Sequence, residues 1–212
     1  MFPLLCPSLN NLYPKITGKD SPNAQIWVNC AVRNDLLWAA SHLKIDNGVY
    51  LLRASDWNPS EADIVIYCDA CLDGLGFWYP ADGNAYFSHV PVEVPINLIF
   101  YYKALCVLCA LEHASSRLTS PSRIAIYTDN SNTVDIFNSL RCLPPYNKIL
   151  KRSASLRMST DHQLRVFHVS SENNYIADAI SRESFTKALL ARPDLQIHHF
   201  QPPQLTLGET KK

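Results

Sequence analysis

Two short apolar runs in this sequence end in aspartate: Ile64-Val65-Ile66-Tyr67-Cys68 leads to Asp69, and Ile124-Ala125-Ile126-Tyr127-Thr128 leads to Asp129. Runs this rich in β-branched and aromatic residues form buried strands. The ends of strands in an α/β sheet are where ligands and metals commonly gather. A third aspartate, Asp178, sits in the apolar context Ile176-Ala177-Asp178-Ala179-Ile180. A carboxylate on the buried side of a helix is costly unless something pairs with it. Each aspartate alone has an ordinary reading, because Asp often opens a turn or caps a helix. As a set they are harder to dismiss as turn and cap residues, and a functional role gains weight.

One cation stands out against them. Lys103 is the only charged residue between Val94 and Leu111. Either it faces something polar, or its ammonium snorkels to solvent past an apolar helix. Other groups have plainer uses. Asp73 belongs to an Asp73-Gly74 turn, and Glu93 precedes the helix that carries Lys103. Glu112 lies nine residues beyond Lys103, about 13 Å along a helix, too far to act at the same point. Cys106 and Cys109 spell C-x-x-C, but no second Cys or His pair stands at zinc-finger spacing. Small buried hydrophobes explain them better than a zinc site does.

The elements that must position these residues follow from periodicity and turn chemistry. Asp63–Asp69, a run restarting at Phe77-Trp78-Tyr79, and Ala85–Val90 read as three strands joined by the turns Asp73-Gly74 and Asp82-Gly83, an antiparallel meander. A helix follows over about Ile96–Ser115, then the strand Arg123–Asp129. Asn130 is placed to cap a helix over Ser131–Leu140 before Pro144-Pro145 breaks the chain. Tyr146–Met158 reads as helix, Leu164–Val169 as strand with His168 near its end, and Asn174–Ser181 as a helix capped by Asn174. Upstream, Val28, Val32, Leu36, Leu37, Ala40 and Leu43 have helical spacing, and Asn47-Gly48 followed by Val49–Leu52 predicts a turn and a short strand. Residues 1 to about 25 carry little periodicity, and the proline-containing end reads as extended. The order predicts an α/β fold, a mixed five-stranded sheet flanked by helices.

Composition bounds the function. The chain has 212 residues, 47% hydrophobic and 18% charged, with 19 basic and 19 acidic side chains. That is globular, and a balanced charge gives no support to strong non-specific nucleic-acid binding. Seven scattered cysteines fit a reducing compartment, so an intracellular setting, cytoplasmic or nuclear, is expected. Met1–Cys6 is too short and too poor in basic residues for a signal peptide. Val94–Leu111 is interrupted by Lys103 and falls at the short edge of a membrane span, so a buried helix, and no membrane association, is expected.

Three segments carry a resemblance. Asp69-Ala-Cys-Leu-Asp-Gly-Leu-Gly-Phe-Trp, Tyr127-Thr-Asp-Asn-Ser-Asn-Thr-Val and His168-Val-Ser-Ser-Glu-Asn-Asn-Tyr-Ile-Ala-Asp-Ala-Ile-Ser-Arg resemble the first, third and fourth motifs of the ribonuclease H domains of retroelement reverse transcriptases, in the family's order. The last is similar to the retrotransposon form ending Ala-Asp-Ala-Leu-Ser-Arg. The motifs span about residues 63–183. Leu12–Trp57 resembles the connection upstream of this domain in fungal retroelements. The resemblance thus implies a connection segment over 1–60, a ribonuclease-H-like domain over 61–185 and a peripheral extended tail over 186–212.

It also implies chemistry. In the family, four carboxylates hold two magnesium ions, which activate water and stabilise the departing sugar oxygen during cleavage of RNA in an RNA–DNA hybrid. Asp69, Asp129 and Asp178 match three of the four. The second motif's glutamate falls at Lys103. The resemblance therefore implies an ammonium among the three aspartates, neutralising part of their repulsion in place of a metal, with impaired catalysis and weak magnesium binding. His168 matches a region where related nucleases use a histidine for product release, though the local loop differs. Asn130 and Ser131 are candidates for contacts to sugar or phosphate, as well as for helix capping. The implied partners are an RNA–DNA hybrid and the reverse transcriptase domain of a parent polyprotein. The competing reading is a non-catalytic nucleic-acid-binding or scaffold remnant.

Overall fold

The computed structural model describes residues 3–44, 57–91 and 99–204. The predicted turn at Asn47-Gly48, the strand Val49–Leu52 and the start of the helix at Ile96 lie outside them.

The meander forms as its turns dictate. Strands β1 (Ile64–Ala70), β2 (Gly74–Trp78) and β3 (Asn84–His89) pair antiparallel, with Asp69 opposite Gly76. Gly83 takes φ +70° in the β2–β3 turn, a conformation that a side chain would strain. After α3 (Ile99–Arg117), strand β4 (Arg123–Thr128) returns parallel to β1, placing Tyr127 opposite Tyr67. Helices α4 (Ser131–Ser139) and α5 (Asn147–Thr160) lead to β5 (Gln163–His168), parallel to β4. The parallel pairing through helical crossovers brings the ends of β1 and β4, and hence Asp69 and Asp129, side by side.

Helices cover both faces. On one, α3 buries Leu105, Leu108 and Leu111 against Ile66, Phe77, Ile124 and Ile126, with Ile149 of α5 behind them. On the other, Ile176 and Ile180 of α6 (Tyr175–Ser181) pack on Trp78 and Phe87. That second contact depends on two glycines in β2. A Cβ at Gly76 would stand 2.5 Å from the Ser181 backbone nitrogen and 3.0 Å from the Ala177 oxygen. Gly76→Ala is expected to lower stability by roughly 1–3 kcal/mol, the usual range for an overpacked site. A denaturant midpoint equal to that of the unsubstituted protein would show that α6 is not seated so tightly.

The sheet has six strands rather than five, in the order β5-β4-β1-β2-β3-β6. The sixth, β6 (Gln196–His199), pairs parallel with β3 and is preceded by a short helix, α7 (Phe185–Ala191). Its four residues turn only Ile197 partly inward, so it leaves almost no alternation in the sequence; pairing with β3 supplies the order. Part of the weakly periodic stretch up to about residue 25 is also ordered into helix. Pro3–Leu9 is a 3-10 helix and Tyr13–Ile16 a single helical turn, α1, with Leu4 packed on Leu140 and Ala154.

Helix α2 (Cys30–Leu43) forms as its spacing predicts, but a polar contact docks it. Asp35 is 2% exposed and accepts from Lys151 Nζ at 2.6 Å, Asn11 Nδ2 at 2.7 Å and Asn147 Nδ2 at 2.8 Å. Leu36, Leu37 and Leu43 are left exposed. No helix among the described residues is long and apolar enough to cross a membrane.

Candidate active site

The residues with chemistry converge at the ends of β1 and β4, beneath the first turns of α3. Asp69 is buried at 2% exposure, and Asp129 follows the last residue of β4. Lys103 lies one turn into α3, whose next residues are buried without a break as far as Leu111. Its ammonium bridges the two carboxylates, with Nζ 2.5 Å from Asp69 Oδ1 and 2.6 Å from Asp129 Oδ1. Lys103 therefore faces the aspartates, and the snorkelling alternative is not what forms. Ser171 Oγ donates to the other Asp129 oxygen, Oδ2, at 3.0 Å. Below, the Cys106 thiol donates to the Asp69 carbonyl at 3.1 Å.

The two aspartates differ in how much water they keep. Burial pushes Asp69 up to about 6, against the pull of Lys103. Burial also works to raise Asp129, but the Lys103 hydrogen bond and charge outweigh it and hold the carboxyl below its ordinary value. For Lys103, burial works downward and the Asp69 and Asp129 carboxylates outweigh it, so the ammonium is held above its usual range. Differential burial explains why one cation leaves its two partners shifted in opposite directions: the side chains of Asp69 and Asp129 are 2% and 17% exposed.

Asp178 takes a different partner. It is half-buried on α6 and accepts from Arg182 Nε, four residues on, at 2.7 Å. The Arg182 guanidinium is held above its usual value by that bond first, and the charges of Cys71 and Asp69 add to it.

The remaining candidates divide. His168 ends β5 and is exposed. Asn130 caps α4, accepting from the Thr133 backbone N–H at 2.8 Å, and Ser131 beside it is exposed. Asn174 does not cap its helix through its side chain; its amide instead donates to the Cys68 carbonyl at 3.0 Å. Glu112 pairs with Arg152 at 2.6 Å. Cys106 and Cys109 are buried within α3. Ser171 and Arg182 were not singled out from the sequence. Arg182 had a signal, its i+4 spacing from Asp178; Ser171 had none.

Magnesium demands oxygen ligands in near-octahedral geometry at about 2.0–2.1 Å. Here the point shared by Asp69 and Asp129 is taken by an ammonium, and Asp178 is engaged by Arg182. Among the described residues no group of three or more His, Cys, Asp or Glu is arranged to hold a metal. The residues present do not fit the ion that the sequence resemblance implies.

The class that emerges is an α/β protein, a mixed six-stranded sheet flanked by helices, with an acidic, cation-bridged site at its strand ends. No family model and no curated protein matches the chain. Solved structures do match. They include RNase H1 from the halophilic archaeon Halobacterium salinarum, at 17% identity and TM-score 0.47, over 59% of this chain and 98% of that one. A second is LC11-RNase H1, isolated from compost, in complex with an RNA/DNA hybrid, at 20% identity and TM-score 0.47, over 60% and 99%. A third is an N-terminal RNase H domain from Mycobacterium tuberculosis, at 12% identity and TM-score 0.44, over 61% and 99%. At such identities the roles of residues must be argued from this chain.

Proposed function

We propose that this chain is a ribonuclease-H-like domain of a retroelement reverse transcriptase polyprotein, in which Lys103 impairs the two-metal cleavage of RNA in RNA–DNA hybrids. The observation that carries this reading is the Lys103 bridge to Asp69 and Asp129. Asp69, Asp129 and Asp178 are the inherited metal-ligand positions, and the ordered motifs over residues 63–183 support the descent. Lys103 occupies the glutamate position and neutralises carboxylates that would otherwise need divalent ions. Without such an ion nothing in the cluster generates a nucleophilic water at neutral pH. His168, exposed at the strand end, and Ser131, exposed at the start of α4, are left to contact a bound hybrid.

The same bridge favours the second reading, a non-catalytic nucleic-acid-binding or scaffold domain. On either reading the natural partners are an RNA–DNA hybrid and the polymerase portion of a parent polyprotein, in an intracellular setting. The test is direct. A labelled RNA–DNA hybrid incubated with the protein and magnesium should remain uncut, and calorimetry with magnesium alone should give no tight binding. Robust cutting of the RNA strand, or two tightly bound magnesium ions, would sink the claim of impairment.

A further inference from the structure

The last strand of the sheet is seated on aromatic rings of its neighbours. β6 turns only Ile197 partly inward. Beside it, the His198 ring lies 5.3 Å from the Tyr86 ring of β3, and Phe200 lies 5.0 Å from the Phe77 ring of β2, centre to centre. Both of those rings also pack on one side chain of α3. His113 stands 4.0 Å from Tyr86 and 5.4 Å from Phe77. The seat of β6 therefore runs through an imidazole.

That imidazole suits the cluster only when neutral. The Tyr79 hydroxyl lies 2.7 Å from His113 Nδ1, and Tyr79 is 3% exposed. Nδ1 is the one acceptor bonded to that hydroxyl among the described residues, so the Tyr79 O–H donates. A protonated ring has no lone pair at Nδ1, and the buried hydroxyl proton is then stranded. Charge opposes protonation as well. Arg117 already lies over the Tyr79 ring, 4.5 Å from its centre, and pairs with Asp82 at 2.6 Å. Once protonated, His198 adds another cation across Tyr86. Asp82 is the carboxylate that faces them, because Glu112, next to His113 in sequence, is taken by Arg152. Burial holds the Tyr79 and Tyr86 phenols above their ordinary values, so they stay neutral. The face of Tyr86 attracts a cation, but burial and the nearby charges outweigh it. Burial first, then Arg117 and His198, hold His113 below its ordinary value, with Asp82 pulling the other way. The unfolded ring thus takes up its proton before the folded one. The contribution of neutral His113 to stability is whole above about 6.5, the ordinary histidine value. It is lost as pH falls through that value toward the depressed one.

We propose that β6 is an acid-released strand: protonation of His113 dismantles the Tyr79–Tyr86–Phe77 seat and frees Gln196–Phe200 from β3. The strand is poised for release. It has four residues, lies at the edge of the sheet and brings one partly buried side chain. Its departure leaves β3 as the edge of a five-stranded sheet, with backbone groups open to pairing. The device is separate from the Lys103 bridge at the ends of β1 and β4, and it stands whether or not that site cuts RNA.

The experiment is amide hydrogen exchange on the intact chain at about pH 7.5 and about pH 5, corrected for the intrinsic pH dependence of exchange. Amides of Gln196–Phe200 should lose protection roughly tenfold or more at the lower pH, while β1 and β4 keep theirs. In His113→Gln the amide oxygen can still accept from Tyr79 but cannot titrate, so protection of β6 should stay level. His198→Gln should reduce the loss only in part. Protection that is equal at both pH values, or that falls alike in every strand, would overturn the proposal. So would a loss that persists in His113→Gln. Should that variant not fold, an NMR titration of the unsubstituted protein decides. The His113 ring signals and the Gln196–Phe200 amides should then change with one midpoint, below the ordinary histidine range. Separate midpoints would overturn the proposal.

Discussion

Replacing Lys103 with methionine should lower stability at pH 7 by about 3 kcal/mol, the lower end of the range for removing one partner from a buried ion pair. Methionine keeps the apolar stem packed within α3, so the loss isolates the charge. The low end applies because Asp129 retains some water at 17% exposure, whereas Asp69, at 2%, retains almost none. The pH dependence is a sharper test. In the unsubstituted protein Asp69 has a folded pKa of about 6, above its unfolded value. Its contribution favours the folded state below about pH 4 and is lost as pH rises through 6. Asp129 is shifted down, so its contribution is present above the ordinary carboxylate range and lost as pH falls through its depressed value. Lys103 is shifted up, and its contribution is lost only as pH rises through that raised value. Removing the ammonium takes away the influence that pulls Asp69 down, so its pKa should climb above 6. The penalty of Lys103→Met should accordingly shrink from pH 7 to pH 5, where Asp69 takes up a proton. Urea midpoints across that range measure it. A penalty that grows on acidification would contradict a buried Asp69 held ionised by Lys103.

The parts of this site that could be read in the sequence are those with strong local signals. Ile64–Cys68 and Ile124–Thr128 are nearly continuous apolar runs ending in aspartate, and a parallel crossover leaves such ends adjacent. Lys103 is legible as the one charge between Val94 and Leu111, although the sequence alone leaves open whether it faces a polar group or snorkels to solvent. What stayed hidden depended on distant pairing. The strand β6 gains its order from β3, far earlier in the chain. Asn174 looked like a cap because asparagine before a helix usually is one, yet the buried Cys68 carbonyl required a donor and took it. Asp178 was expected to be buried and in need of a partner. It is only half-buried, and the partner is its own neighbour one turn on. The face that α2 turns inward was obscured for a related reason. Apolar periodicity suggested Leu36, Leu37 and Leu43, but a buried carboxylate with three donors outweighs a few half-exposed leucines.

Lys103→Glu should reverse the character of the site. It places a carboxylate opposite Asp69 and Asp129 where an ammonium now neutralises both. Without a divalent ion, like charges at hydrogen-bond separation are strongly unfavourable, so the variant should be less stable in EDTA than Lys103→Met. Magnesium then becomes a ligand of the folded state alone, because the unfolded chain does not gather these oxygens. At a hundredfold excess over its dissociation constant it should restore about 2.7 kcal/mol, while the unsubstituted protein gains nothing. Lys103→Gln separates charge from hydrogen bonding: it can donate to one aspartate but should show no magnesium response. Cleavage of the RNA strand of a hybrid should appear only in Lys103→Glu with magnesium. It also requires Asp178 to release Arg182, since three carboxylates would otherwise have to serve in place of four. Combining Lys103→Glu with Arg182→Gln should therefore strengthen the magnesium response. A Lys103→Glu protein that folds, yet neither gains stability from magnesium nor cuts hybrid, would mean that the strand-end carboxylates are not the remains of a two-metal site. Descent would then have to be argued without Lys103.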